Sequence, residues 1–469
     1  MSTSRSFRSF MMVSLLIIAS LLLAACAPVA QPTQAPAQPA ATEAPAQPAA
    51  TEAPAQPTAA PSGEKTKIVF WSHDFPPREK LDRKFMDQFM ADNPNVEIEY
   101  VLGPGDDVQY ITKLMTAFAG GEAPDCFNLI TFSTGPLLEQ GLVAPVDPKV
   151  YGFNTQDELE KTYVIGTLEG FKKDNVLYAM PSEVSIYSLF QNKQMYADAG
   201  LDVEKDYPKT WEDLVPLAQK MNKEENGQLV KRAFDFTYGM PEDATSPVLS
   251  VAGMAYQLGG KLLSDDGKES LVNTEPWVKS FQFIQDWVYK EKAGNPALTV
   301  AFVDFYQGNT AGTLSGSWYS SYVKEQNPAV AEQIVVKPFP QWKDATNKNG
   351  ALMYAYGLFT NAGSSPEKQA ACQLLIKELS SHPEDYLRDA GLLQSRADLP
   401  ETEAFKQDPT LPVFLADMEG TPYFPAHPKA FEMLDVLTRA LQRVVTEQQD
   451  PQASLDAAKA EIDALLQQQ

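Results

Sequence analysis

Histidine and cysteine are nearly missing from this chain, with three of each in 469 residues. His73, His382 and His427 are scattered, and the two interior cysteines, Cys126 and Cys372, offer no zinc-binding spacing. Basic charge is also short. Lys and Arg number 38 against 61 Asp and Glu, a formal net charge of −23. A surface this acidic argues against nucleic acid and anionic lipid as partners. The common catalytic signatures are missing as well: no G-x-S-x-G, no H-E-x-x-H and no G-x-x-x-x-G-K-[ST]. Gly103-Pro-Gly105 lacks the third glycine of a dinucleotide loop. No domain-scale repeat is present, and past the N-terminus no run is long and apolar enough to span a membrane.

What is there begins with an address. Arg5 and Arg8 precede an apolar stretch, Phe10 to Leu23, which ends in Leu23-Ala24-Ala25-Cys26. The pattern resembles a bacterial lipobox and predicts a signal peptide over 1–25 with lipid on Cys26; a plain secretory signal or an anchor helix is the competing reading. Removing Arg5 and Arg8 with the leader takes the charge from −23 to −25. Residues 26–63 are rich in Pro, Ala, Gln, Thr and Glu, and the nine-residue unit Ala40–Pro48 recurs at Ala49–Pro57. Such a stretch buries no core. It reads as a semi-rigid tether, with a reach on the order of 100 Å at ~3.1 Å per residue.

From Lys67 the pattern alternates. Lys67–Trp71 is a strand, Glu79–Met90 an amphipathic helix, Val96–Val101 a strand, Tyr110–Ala119 a helix and Pro124–Ile130 a third strand. This β-α-β-α-β order predicts an α/β architecture with a mostly parallel sheet. Thr210 and Asp213 read as a capping box. Trp211, Trp277 and Trp287 fall on apolar helix faces and read as core. Ser264–Lys268 reads as a hairpin-type turn, and Ser365-Pro366 as a helix N-cap with proline at N1. Cys126 and Cys372 are either a disulfide of an exported protein or two small buried apolar side chains.

The stretch Tyr178–Gly200 organises the rest. A proline-interrupted start leads to a strand-like run over 184–189, then a helix opened by Asn192-Lys193 and closed at Gly200. Its Tyr178, Ala179, Pro181, Leu189, Asn192, Lys193, Tyr196, Ala199, Gly200 and Leu201 resemble the first hinge crossing of sugar-type extracellular solute-binding proteins of bacterial ABC importers. Further pieces resemble the same family in its order: the first three strands, Leu137–Asp147, the Pro208–Leu214 turn, Gly308, Ala311 and Gly316 with Trp318, and Ala390–Arg396. In the last, Gln394 stands where proline is usual. The resemblance implies a two-lobe periplasmic-binding-protein-like fold with three hinge crossings. Each lobe would be a mixed, mostly parallel sheet flanked by helices. The implied divisions are 64–181 and 335–381 for the amino lobe, and 182–334 and 382–469 for the carboxyl lobe.

Open α/β sheets bind ligands beyond the carboxyl ends of their strands. That rule selects Trp71, Ser72, His73 and Asp74 after the first strand, and Asn128, Thr131 and Phe132 after the third. At the crossing it selects Ser182, Glu183 and Tyr187. Beyond the small-residue strand at 310–314 it selects Gly316, Ser317, Trp318 and Tyr319. Tyr354, Tyr356, Gly357 and Arg396 complete the set. Sugars present apolar C–H faces to aromatic rings and hydroxyl rims to Asp, Glu, Asn and Arg. The set and the resemblance together imply capture of a sugar or oligosaccharide in an interlobe cleft and delivery to ABC permease subunits. They imply a lipid-anchored extracytoplasmic monomer with no cofactor, no metal and no chemistry on the solute. Competing readings are a binding protein for glycerol phosphate, polyamine or peptide, a secreted carbohydrate-active enzyme, and a flat protein-interaction module. The enzyme would need two carboxyl groups ~5–9.5 Å apart in the cleft.

Overall fold

The computed structural model describes residues 65–468, apart from 106, 165, 239–244, 298–299, 348–351, 420, 422 and 425–426. The leader expected over 1–25, Cys26 and the tether lie outside the described residues. Strand β1 (Thr66–Ser72) buries Ile68 and Phe70 on one face and leaves Lys67 to solvent. Helix α1 (Pro76–Asp92) opens on two prolines, which need no intrahelical N–H partner in the first turn. It turns Leu81, Phe85, Met86 and Phe89 inward, the face its spacing predicts. Strand β2 (Val96–Leu102), helix α2 (Asp107–Gly120) and strand β3 (Cys126–Ile130) follow. Every residue of β3 is buried, as a strand covered on both faces must be.

Two strands then straddle the organising stretch. β4 (Ala179–Ser185) and β5 (Ser188–Asn192) are separated only by Ile186 and Tyr187. Helix α3 (Lys193–Asp198) is capped by Asn192, whose side chain accepts from the Gln194 and Met195 amides, and Gly200 takes a φ of +74° beyond it. Helices α4 (Thr245–Gln257) and α5 (Glu275–Tyr289) precede strand β6 (Gly312–Ser315) and helix α6 (Tyr319–Gln326). Strands β7 (Ile334–Lys337) and β8 (Tyr354–Thr360) come next. Helices α7 (Pro366–Leu379), α8 (Pro383–Ala390), α9 (Ala430–Thr446) and α10 (Pro451–Leu466) complete the elements that matter here. Among the described residues no helix is long and apolar enough to cross a membrane.

The strands form two sheets of different character. The first runs β2-β1-β3-β8-β4, with β1 parallel to both β2 and β3, and β8 antiparallel to β3 and β4. The second runs β6-β5-β7 and is antiparallel throughout. The α/β expectation holds, and the first sheet is mixed. A mostly parallel second sheet is not what forms. Parallel pairing occurs beside it only as an isolated bridge outside the sheet, where the Arg232 amide donates to Asn309 O at 3.0 Å and the Ala311 amide to Arg232 O at 2.8 Å. The chain passes from the first sheet to the second at Ile186–Tyr187 and returns between Lys337 and Tyr354. The resemblance implied divisions at 181/182 and 334/335; the apolar run itself does not change character where the pairing partner changes.

Cys126 on β3 and Cys372 on α7 form a disulfide, with Cα atoms 5.8 Å apart and 246 residues of separation. It joins the two stretches of chain that build the first sheet's side of the molecule. The capping box at Thr210 and Asp213 is made in both directions, and Trp211, Trp277 and Trp287 are core. The Trp211 indole N–H donates to Gln257 Oε1 at 2.9 Å, so its polar end is satisfied inside.

Candidate functional site

The ends of β3, β4 and β6 and the start of β8 converge, and what they bring together is aromatic. Gly316 follows β6 directly. A methyl group at this position would collide with Ser185 Oγ and would stand 2.6 Å from Trp318 Nε1, so only glycine lets the indole lie back against β4. Trp318 is half-buried, and its Nε1–H donates to the Tyr354 hydroxyl at 2.7 Å. Three further rings stand nearly perpendicular to the indole: Phe75 at 6.3 Å, Phe302 at 6.1 Å and Tyr322 at 6.0 Å between centroids. Edge-to-face packing of this kind holds a ring in place without covering both of its faces.

Tyr354 continues the wall. Tyr187 meets it at 6.0 Å and 90°, Phe132 lies 6.4 Å away, and Tyr356, two residues on along the same strand face, is also 6.4 Å away. The Tyr187 hydroxyl is 2.9 Å from Ser246 Oγ, and Phe132 packs edge-on against Phe424 at 5.3 Å. Burial pushes the Tyr354 phenol well above its ordinary range, with the Glu183 charge next in effect, so the hydroxyl stays neutral and free to donate. Ser317 Oγ and Ser133 Oγ are buried with no hydrogen-bond partner among the described residues.

A polar layer backs this wall. His73 stacks on the Tyr356 ring at 4.4 Å, and its Nδ1 lies 3.0 Å from Asn128 Oδ1. The Asn128 amide donates to Ser182 Oγ at 2.8 Å, and Ser182 donates to Tyr356 O at 3.1 Å. Glu183 sits opposite Tyr356 in the strand register and is buried. Burial, followed by the Arg78 charge, lowers the His73 pKa well below 6.5, and only the Asn128 bond works the other way.

Of the residues selected from sequence, the structure thus gathers His73, Asn128, Phe132, Ser182, Glu183, Tyr187, Gly316, Trp318 and Tyr356. It places four elsewhere. The Trp71 ring sits under Lys113 Nζ at 4.7 Å. Asp74 is exposed beside the 103–105 loop. Tyr319 is fully buried behind Trp318, and its hydroxyl donates to Phe302 O. Arg396 pairs with Asp398 at 3.0 Å and lies over the Tyr163 ring at 5.7 Å. Gln394 is buried and donates to Leu379 O at 3.1 Å, while Ser395 beside it takes a φ of +53°. Sequence reasoning missed Phe75, Phe302 and Tyr322 around Trp318. Among the described residues no group of three or more His, Cys, Asp or Glu is placed to hold a metal.

Two sheets built from one alternating chain, with aromatic side chains gathered where their strand ends meet, define a two-lobe binding protein. The chain belongs to the bacterial extracellular solute-binding protein family, whose pattern spans residues 74–382. It is 22% identical over 350 residues to an arabinooligosaccharide-binding protein of Halalkalibacterium halodurans, covering 73% of this chain and 70% of the relative. The solute-binding protein of an ABC transporter from Thermotoga lettingae, solved with alpha-D-tagatose, shares the fold at a TM-score of 0.74 and 18% identity. That match covers 86% of this chain and 100% of the other. UgpB from Mycobacterium tuberculosis, solved with glycerophosphocholine, matches at a TM-score of 0.72 and 15% identity, covering 86% and 99%.

Proposed function

We propose that this protein captures a carbohydrate between its two sheets and delivers it unchanged to the membrane subunits of an ABC importer. The observation that carries the reading is the Trp318 enclosure. A half-buried indole, fixed by its N–H on Tyr354 and by three perpendicular rings, offers a flat face to the C–H side of a sugar ring. Tyr187, Tyr354, Ser133 and Ser317 supply hydroxyls for its rim, and Glu183 supplies the carboxylate.

The kind of relative supports the class of solute, since an arabinooligosaccharide-binding protein and a tagatose-bound neighbour are both carbohydrate binders by name. Against a phosphate ester, two arginines that follow strand ends, Arg78 and Arg396, are engaged: Arg78 with His73 and Asp82, and Arg396 with Asp398. The ligand-binding set we assign is His73, Asn128, Phe132, Ser182, Glu183, Tyr187, Gly316, Trp318 and Tyr356. Trp71, Asp74, Tyr319 and Arg396 act outside it or behind it. Contacts already join the two sides: the Trp318–Tyr354 bond, the Phe75–Trp318 packing, and an exposed Lys80–Glu325 pair at 3.4 Å between α1 and α6. Ligand that bridges the sheets would favour this joined form over an open one. The permease would recognise the joined form. The leader and Cys26 make the protein a lipid-anchored monomer outside the cytoplasm, held off the membrane by the 26–63 tether.

A thermal-shift panel on the soluble domain tests the reading. A ligand that binds only the native state stabilises it by about 2.7 kcal/mol at a hundredfold excess over Kd. We expect a dose-dependent rise in Tm with one class of saccharide, and the same saccharide intact on recovery. Cleaved saccharide would make the protein an enzyme.

A further inference from the structure

Behind the aromatic wall lies a buried chain of polar side chains whose proton directions are all set from one end. Arg78, in the first turn of α1, is 2% exposed. Its Nη2 donates to His73 O at 2.5 Å, and its Nη1 stands 3.3 Å from His73 Nε2. The guanidinium is anchored by Asp82, one turn further on, whose carboxylate is 3.7 Å from Nε. Asp82 in turn accepts from the Tyr100 hydroxyl at 2.8 Å and the Tyr386 hydroxyl at 2.6 Å. Arg78 is therefore held from α1, β2 and α8 together.

A guanidinium has donors and no acceptor. His73 Nε2 must accept, so the ring proton is on Nδ1 and is donated to Asn128 Oδ1. The Asn128 amide then faces Ser182, and the Ser182 hydroxyl turns to Tyr356 O. Reversing any link would oppose two donors or two acceptors somewhere along the chain. A doubly protonated His73 would aim Nε2–H at the guanidinium, with no acceptor between them. The charged and titratable groups around His73 are Arg78 and Asp82 on α1, Tyr110 on α2, and Tyr356 on β8. Glu183 on β4 is within electrostatic reach of Arg78. Burial and the Arg78 charge act in the same direction as the geometry.

We propose that Arg78 is a positioning residue for the cleft. It fixes His73 as the neutral Nδ1–H tautomer and, through His73, Asn128 and Ser182, holds the backbone and ring of Tyr356 in the wall. The inference rests on the proposed binding reading only in that Tyr356 is a wall residue, and its test needs no ligand. Chains of this kind fix side-chain geometry because each partly satisfied alternative leaves a buried group unpaired.

The test is long-range proton–nitrogen correlation on the ¹⁵N-labelled soluble domain. With only three histidines, a His73→Gln variant assigns the signal. The expected result is a single Nδ1–H tautomer for His73 that does not titrate between about pH 5 and 8, the range where an ordinary histidine changes charge. In Arg78→Met the tautomer preference is lost, since no donor then faces His73 Nε2. The Tyr356 ring-proton shifts move in Arg78→Met and also in Ser182→Ala, which cuts the last link. Should Arg78→Met fail to fold because Asp82 is left buried and charged, Arg78→Met with Asp82→Asn carries the same test. A wild-type His73 that is Nε2–H or titrates in this range overturns the proposal. So do Tyr356 shifts that respond to Ser182→Ala but stay unmoved in the folded Arg78 variant.

Discussion

The indole N–H of Trp318 donates to the hydroxyl of Tyr354 at 2.7 Å, and this bond runs from the end of one sheet to the start of a strand in the other. It fixes the ring that we assign as the sugar platform, and it is a contact of the joined form. Trp318→Phe keeps a ring and removes the donor. A neutral hydrogen bond of this kind contributes about 1 kcal/mol, so we expect roughly fivefold weaker saccharide binding with little change in Tm. Calorimetric titration of the variant checks this, and an unchanged Kd would mean that the bond does not set the platform.

Gly316→Ala tests the close approach at the same place. The added methyl meets Ser185 Oγ and Trp318 Nε1 together. Overpacking of this kind costs about 1–3 kcal/mol, and the indole is the neighbour with room to move. Saccharide binding should fall by more than tenfold while far-UV circular dichroism stays that of the wild type. Wild-type affinity in Gly316→Ala would show that the indole does not need the space the glycine leaves.

Cys126 and Cys372 join parts of the chain that lie 246 residues apart. Cross-linking so long a loop removes much freedom from the unfolded chain, and losing such a bond typically costs about 2–5 kcal/mol. Double replacement by alanine should lower stability in urea by that amount. Alkylation of the unreduced wild type should find neither thiol free.

Burial pushes the Asp417 carboxyl up to about 6 from an ordinary 3.8, although bonds from Ser188 Oγ at 2.6 Å and Phe339 N at 3.0 Å pull it down. A folded-state pKa above the unfolded one favours folding while the group is protonated. The contribution is full below about pH 3.8 and is lost as pH rises through about 6. Asp235, raised to about 6 chiefly by burial, acts in the same window. His73 acts the other way, since its lowered pKa makes stability fall as pH drops below about 6.5. Asp417→Asn keeps acceptors for Ser188 and Phe339 and removes the charge. Stability at pH 7.5 relative to pH 5 should rise in this variant by about 1.5 kcal/mol, roughly half of the whole linkage contribution. An unchanged difference would show that Asp417 is ionised in the folded protein at both pH values.

Much of this was legible from residues alone, for physical reasons. The face of α1 follows from the spacing of Leu81, Phe85 and Phe89. The cap at Asn192, the turn at Gly200 and the box at Thr210 each answer a backbone hydrogen-bond need that few residue types can meet. The strand-end rule selected Trp318, Tyr187, Tyr356 and His73, and these side chains lie along one wall in the fold. What failed to show in the sequence is what only three dimensions decide. The passage at Ile186–Tyr187 leaves no mark on a continuous apolar run. Tyr319 follows Trp318 directly yet faces the core, because the turn into α6 rotates neighbouring side chains to opposite sides. Phe75, Phe302 and Tyr322 read as ordinary apolar positions until Trp318 is placed among them. Arg78 gave no signal beyond its charge, since its meaning lies in His73, Asp82 and the chain beyond them.

The most direct measurement is calorimetric titration of the soluble domain, beginning at Glu64, with pentose and hexose oligosaccharides, a glycerophosphodiester and a polyamine, in wild type and Trp318→Ala. The account predicts saturable one-to-one binding of a saccharide by the wild type, weakened at least tenfold in Trp318→Ala. Binding of the phosphodiester or polyamine with no response to any saccharide would contradict it, as would saccharide binding that is indifferent to the loss of Trp318.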